Sequence, residues 1–286
     1  MAGDDPFGEW KYYQYNPSMA AAIIFVVLFG AISGLHLYQM VRTKVWIFIP
    51  FVLGGFFEFI GYCARAASAN QSPDWTLMPY IIQTLFLLVA PALYAASIYM
   101  MLGRIILLTE GERHSLIPLR WLTKIFVIGD VISFMMQGGG GGIMAGAKSN
   151  PKNMQTGENV IVGGLVVQLL FFGFFVVVGA LFHVKMVRNP TTRVIAGDLP
   201  WERQLYVLYA TSALILIRSL FRLIEYIQGN HGYLISHEVF LYIFDSVLMW
   251  ATMVIFAWIH PSEITARLGK GNGKAVRKGY EVYNLA

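Results

Sequence analysis

Cysteine occurs once in this chain of 286 residues, at Cys63 inside an apolar run. No disulfide framework within the chain is therefore available to hold it together. Charge is scarce as well: Asp, Glu, Lys and Arg make up 13% of the residues, about half the share of an ordinary soluble domain. No lysine falls in the interior of a long apolar run (Lys124 stands at the edge of one), so a retinal Schiff base is not expected. The six histidines are scattered. His231 and His237 flank a loop, while His36, His183 and His260 sit near the ends of apolar runs as interfacial or packing residues. Zinc-dependent membrane hydrolysis thus lacks its ligands, so no metal, cofactor or enzymatic activity is expected. Residues 141–149 imitate a phosphate loop, but Lys148 follows Ala147 rather than a glycine. Basic residues are missing from the N-terminus, where Asp4, Asp5 and Glu9 stand, so no cleavable signal peptide is expected.

What is abundant is apolar. Hydrophobic residues make up 57% of the chain and the mean hydropathy is +0.58. A membrane-spanning helix needs about 20 largely apolar residues to cross a hydrocarbon layer of about 30 Å. Seven segments qualify: 19–40, 46–66, 79–102, 121–140, 159–184, 204–227 and 237–260. The expected fold is an all-α integral membrane protein, a seven-transmembrane helix bundle. Residues 1–18 form an extracellular tail, 19–260 the transmembrane domain and 261–286 a basic cytosolic tail. Lysine and arginine set this orientation. Of 21, fifteen fall on one side (among them Arg42, Arg104, Lys124, Lys185, Arg203 and Lys270). Lys11, Lys148 and Lys152 fall on the other, and Arg65, Arg218 and Arg222 lie within spans. The N-terminus is therefore expected outside and the C-terminus in the cytosol. The formal charge of +5 then reads as a topology signal and an attraction to anionic lipid headgroups, not as nucleic-acid binding. Asn70-Gln71-Ser72, a glycosylation acceptor triplet, lies on the expected outer side.

Ionisable residues inside spans cost about 2.5 to 3.5 kcal/mol each near the bilayer centre on insertion scales, so they mark where function is to be sought. Glu58, Tyr62 and Arg65 fall at i, i+4, i+7, one helix face. So do Arg218, Arg222 and Glu225, and again Glu238, Tyr242 and Asp245. Asp130, Ser133 and Gln137 follow at i, i+3, i+7. Glu58 lies about 18 Å along its helix from Trp46, at about 1.5 Å of rise per residue. The polar stripes are thereby placed in the middle and outer half of the bundle, where a shared headgroup pocket is expected. Five acids in the set face three arginines, a surplus that calls for protonation or for a cation such as an amine. Gly138, Gly139 and Gly140 begin a run of five glycines that is expected to end span four and to let a helix, lipid or ligand approach the backbone. Gly30 and Gly34 make a small-xxx-small packing pair, and Pro91 is expected to kink span three.

These same residues resemble the fungal lipid-translocating exporter family, also called the aminocholesterol-resistance family. The resemblance is carried by E-x-x-G-Y-x-x-R from Glu58 to Arg65 and by Ala90-Pro91-Ala92 leading to Tyr99 and Gly103-Arg104. Further along, Gly129-Asp130 with Ser133, Gln137 and the glycine run matches, as do R-x-x-F-R-x-x-E from Arg218 to Glu225 and His237-Glu238 with Tyr242 and Asp245. The resemblance implies a plasma-membrane protein that exports or translocates sphingoid long-chain bases or sterol-like amphiphiles, with stress or drug resistance as the outcome and porphyrin uptake in one branch. The expected function is accordingly a transporter or floppase whose partner is a membrane lipid or amphiphilic small molecule. A seven-helix lipid receptor or sensor and a porphyrin- or haem-binding membrane protein are the alternatives.

Overall fold

The computed structural model describes residues 13, 15–72, 74–146, 151–197, 199–229, 232–269, 273–277 and 279–284. The expectations for Asp4, Asp5, Glu9, Lys11, Lys148, His231, Lys270 and Lys278 lie outside the described residues. The chain forms a bundle of long helices: α1 (Met19–Thr43), α2 (Ile49–Asn70), α3 (Leu77–Leu108), α4 (Leu119–Gly146), α5 (Pro151–Arg188), a short α6 (Thr192–Ala196) and α7 (Trp201–Ile227). A final long helix runs from Glu238 to Trp258 in three parts: α8 (Glu238–Leu241), a wide π-helical turn at Tyr242–Val247, and α9 (Leu248–Trp258).

Six of these helices are long and apolar enough to cross a membrane: Met19–Thr43, Trp46–Asn70, Leu77–Leu108, Lys152–Arg188, Trp201–Ile227 and Glu238–Trp258. Helix α4 has the length, at 28 residues, but Asp130, Gln137 and its glycines dilute its apolar character. It nevertheless packs within the bundle, against α3 and along α5. Ile24, Val27, Met135, Leu170 and Val177 stand exposed on α1, α4 and α5. Large apolar side chains exposed on several helices of one bundle suit hydrocarbon, not water. The protein is an integral membrane protein.

Helix α3 is central and touches α2, α4, α5 and α7, while α1 lies against α2 and α9. With lipid as the solvent, apolar burial drives helices together weakly, and close packing of small residues does more. The glycine run illustrates this. It does not end α4 as expected, because the helix continues through it to Gly146. Gly140 lies so close to Gly157 of α5 that a Cβ on either would fall 2.6 or 2.7 Å from the other's carbonyl oxygen. Packing of α5 onto this bare backbone outweighs the poor helix propensity of glycine. In the other small-residue pair, Gly30 faces the Phe59 ring of α2, whereas Gly34 has nothing near it.

The two ends of the bundle differ. One end, called here the tyrosine end, carries Tyr13, Tyr15 and Ser18 ahead of α1. At the other, the histidine end, the chain beyond α9 folds back as helix α10 (Ser262–Arg267) and an antiparallel hairpin, β1 (Lys274–Arg277) with β2 (Glu281–Asn284). The expectation of an all-helical chain is thus amended by one small sheet. Gly279, at φ +82°, sits in its turn, a backbone region that side chains tolerate poorly. Gln39 of α1 anchors that turn by donating to the Gly279 carbonyl at 2.5 Å, and Ser262 accepts from the Val276 amide at 2.9 Å.

Gly140→Ala is expected to lower the thermal stability of the detergent-solubilised protein, because overpacking a close contact costs about 1–3 kcal/mol. Gly139→Ala, whose Cβ meets nothing, should leave stability unchanged or raise it by up to about 1 kcal/mol through helix propensity. Parallel melting curves of the two variants check the contrast.

Candidate functional site

The expected stripes divide into two groups on either side of a cavity. On α2, Arg65 is fully buried and faces the tyrosine end. It donates from Nε to the Tyr242 hydroxyl at 3.0 Å and from Nη2 to Tyr15 at 2.9 Å and to Glu238 Oε1 at 2.7 Å. Its guanidinium also lies over the rings of Tyr13, Tyr15 and Tyr242. Glu238 in turn accepts from the Ser18 amide at 2.9 and 3.0 Å, placing a carboxylate at the positive end of α1. Tyr13 donates to Gln83 of α3 at 2.7 Å. Tyr13, Tyr15 and Ser18 are thereby tied to α3, α2 and α8 respectively at the start of α1. Burial pushes the Tyr13 and Tyr15 hydroxyls up from their ordinary range, so both remain donors at neutral pH.

One turn deeper, Tyr62 hydrogen-bonds Ser246, and Arg218 of α7 donates from Nε to Asp245 at 2.5 Å. A second Arg218 bond has its origin in the sequence. Pro91 has no amide hydrogen, so the Leu87 carbonyl one turn earlier in α3 loses its helical donor. Arg218 Nη2 supplies one at 2.8 Å. Arg222 pairs with Glu225 at 2.8 Å and lies over the Tyr226 ring.

The π turn corrects the expected regular stripe of Glu238, Tyr242 and Asp245. Glu238 and Tyr242 reach Arg65, while the wider turn carries Asp245 and Ser246 to Arg218 and Tyr62 respectively. Such turns are common at functional sites.

The second group is a ladder between α3, α4 and α5. Tyr99 donates to Asp130 at 2.9 Å, and Ser133 to the Gly164 carbonyl at 2.7 Å. Gln137 donates to Ser133 at 2.7 Å and to Gln168 at 3.2 Å. Of the five acids, Glu238, Asp245 and Glu225 take the three arginines, and Asp130 takes Tyr99. Glu58 alone of the five has no hydrogen-bond partner on either oxygen among the described residues.

Between the groups lies a cavity of about 410 Å³ near the tyrosine end. Its lining includes the polar residues Arg222, Glu225, Asp245 and Gln137 and the apolar residues Ile81, Leu88, Ile161 and Leu241. Gly138 and Gly141 form part of the α4 side, where a Cβ would enter open space. The expected single pocket is thus smaller than the stripes. Glu58, Tyr62, Arg65, Asp130, Ser133, Arg218, Glu238 and Tyr242 are not on its wall, and Gly139 and Gly140 turn away from it. Sequence reading missed Tyr13, Tyr15, Tyr80, Tyr226 and Gln83, which also line it. The crowding of tyrosine just before the first apolar run was the available signal.

A family model described as RTA1 like protein matches residues 51–267. The chain is 39% identical over 279 residues to "Protein RTA1" of Saccharomyces cerevisiae, covering 88% of this chain and 85% of that protein. It is 38% identical over 283 residues to "Protoporphyrin uptake protein 1" of the same organism, covering 86% and 90%. It is 25% identical over 277 residues to "Sphingoid long-chain base transporter RSB1", also of that yeast, covering 86% and 72%. No solved structure matches the chain.

Arg65→Leu should cost about 3–5 kcal/mol, because it leaves Glu238 with its charge uncompensated in a partly buried position. Thermal unfolding in detergent measures the loss. Amide hydrogen exchange should locate it at residues 15–18, with α4 and α5 unaffected.

Proposed function

Because this chain belongs to the RTA1-like family, we propose that it is a transporter that moves an amphiphilic, lipid-like molecule across the plasma membrane. On this reading the bundle crosses the bilayer seven times, α4 included, with the tyrosine end outside the cell and the histidine end in the cytosol. The observation that carries the proposal is the cavity. Its volume falls within the roughly 300–1,000 Å³ of small-molecule sites, and its lining offers both charged and apolar side chains, as the two parts of an amphiphile require.

A long-chain amine suits these walls. Its ammonium would sit against Glu225 and Asp245, with tyrosine faces to receive the cation, and its chain would run along Ile81 and Leu88. The relative named as a sphingoid long-chain base transporter supports this substrate class. Of the five acids in the expected stripes, Glu225 and Asp245 reach the cavity. A second reading rests on Arg222, whose Nε has no partner among the described residues. It could bind the carboxylate of a flat ring system, in line with the relative named for protoporphyrin uptake. No reaction is required of the site; a receptor would recruit a partner at its cytosolic loops on binding ligand, whereas a transporter moves labelled lipid in vesicles without any partner.

The test is transport by the purified full-length chain in lipid vesicles, with a labelled long-chain base and a porphyrin compared side by side. Gly141→Leu, which places a side chain in the cavity, should cut the rate tenfold or more, equivalent to a barrier raised by about 1.4 kcal/mol or more. Gly139→Leu should leave it unchanged. A folded Gly141→Leu variant that transports both compounds normally would remove the cavity from the pathway.

A further inference from the structure

Glu58 stands apart from the other acids. It is fully buried at 0% exposure, and neither oxygen has a hydrogen-bond partner among the described residues. Its neighbourhood is Arg218 and Asp245, which both lie within electrostatic range, together with the hydroxyls of Tyr62 and Tyr94. Arg218 and Asp245 are 2% and 1% exposed. One guanidinium therefore lies within electrostatic range of two almost fully buried carboxyl groups, and its Nε is committed to Asp245. If both acids were ionised the trio would carry a net negative charge, with Glu58 undonated. Burying such a charge is far more costly than burying a neutral carboxyl group. A single proton shared by the two acids makes the trio neutral.

We propose that Glu58 is a proton-binding site of the bundle and that it exchanges its proton with Asp245 on the cavity wall. In the arrangement we propose, Glu58 carries the proton and Asp245, which accepts from Arg218 Nε, does not. In the exchange, side-chain rotation first brings the two carboxyl groups within hydrogen-bond reach; the O–H bond of Glu58 then breaks as one forms on Asp245, and the guanidinium turns its Nε from Asp245 to Glu58. No electrons transfer and the charge of the trio stays zero. The bond from Arg218 Nη2 to the Leu87 carbonyl, free because of Pro91, holds the guanidinium between the two acids throughout. Asp245 is also part of the cavity wall. Once protonated it can pass its proton to the cavity and take up a cationic headgroup as it becomes a carboxylate again. The trio links an enclosed proton site to the place where an amphiphile would bind. As a coupling device this rests on the transport reading; as a proton site it does not.

Two measurements on the full-length protein in vesicles test it. Infrared spectra at neutral pH should show the carbonyl stretch of a protonated carboxyl group that shifts on 13C-labelling of glutamate and is absent from Glu58→Gln. Transport of a labelled long-chain base should then respond to an imposed proton gradient. One pH unit should drive up to about tenfold accumulation at one proton per substrate, reversing with the gradient. Glu58→Gln should equilibrate the substrate without accumulating it, and a sodium gradient should have no effect. The proposal is overturned by a wild-type spectrum with no glutamate-dependent band, by accumulation that survives in Glu58→Gln, or by accumulation driven by sodium. If Glu58→Gln fails to fold, the labelled wild-type spectrum still decides. A wild-type protein that moves no amphiphile would instead defeat the transport reading and leave the infrared result standing.

Discussion

Arg218 is the interaction on which the deep part of this bundle depends. A guanidinium cannot rest in hydrocarbon without partners, and this one finds them on two other helices. It joins α7 to Asp245 of the last long helix and to a carbonyl of α3 that Pro91 has left without a donor. A carbonyl left without its helical donor, a buried acid and a buried base thus satisfy one another. Removing any of the three leaves at least one polar group stranded where water does not reach. The same requirement, that every polar group find its partner within the protein, sets the pairing of Arg65 with Glu238 and of Arg222 with Glu225.

The cavity follows from how these demands are met. Helices α2, α7 and the last long helix are tied together by ion pairs and hydroxyls. Helices α4 and α5 are tied by close backbone contact at Gly140 and Gly157 and by the amide ladder of Ser133, Gln137, Gly164 and Gln168. The two groups meet across α3 without filling the space beside Arg222 and Gly141. Asp245 belongs to both the ion-pair network and the cavity wall, because the π turn aims it away from the face that holds Glu238 and Tyr242. A ligand at that wall would therefore act directly on the Arg218 network, which makes this residue the natural route from binding to a change in helix packing.

Much of this was legible in the sequence. Apolar runs located every long helix, because about 20 apolar residues have few other places to go, and the in-helix acids and arginines marked the polar interior. The family was legible too, from the ordered motifs around Glu58, Pro91, Asp130, Arg218 and Glu238. Periodicity tells which residues share a helix face, but it does not say which helix that face meets. Asp130 thus read as part of a common headgroup site, yet it faces Tyr99. The glycine run read as a helix end because propensity is local, whereas the contact that sustains the helix comes from Gly157 of the next helix. The π turn left no local mark, since nothing in Tyr242–Val247 requires it apart from the partners that Asp245 and Ser246 find.

The central claim is that an amphiphile occupies the space between the two groups of helices. The most direct measurement is photolabelling of the full-length protein in vesicles with a long-chain base carrying a diazirine on its chain, with the labelled residues read by mass spectrometry. The account predicts adducts on cavity residues such as Ile81, Leu88 and Leu241, competed away by unlabelled base. Adducts confined to the lipid-facing Ile24, Val27 and Leu170, and unaffected by competitor, would contradict it.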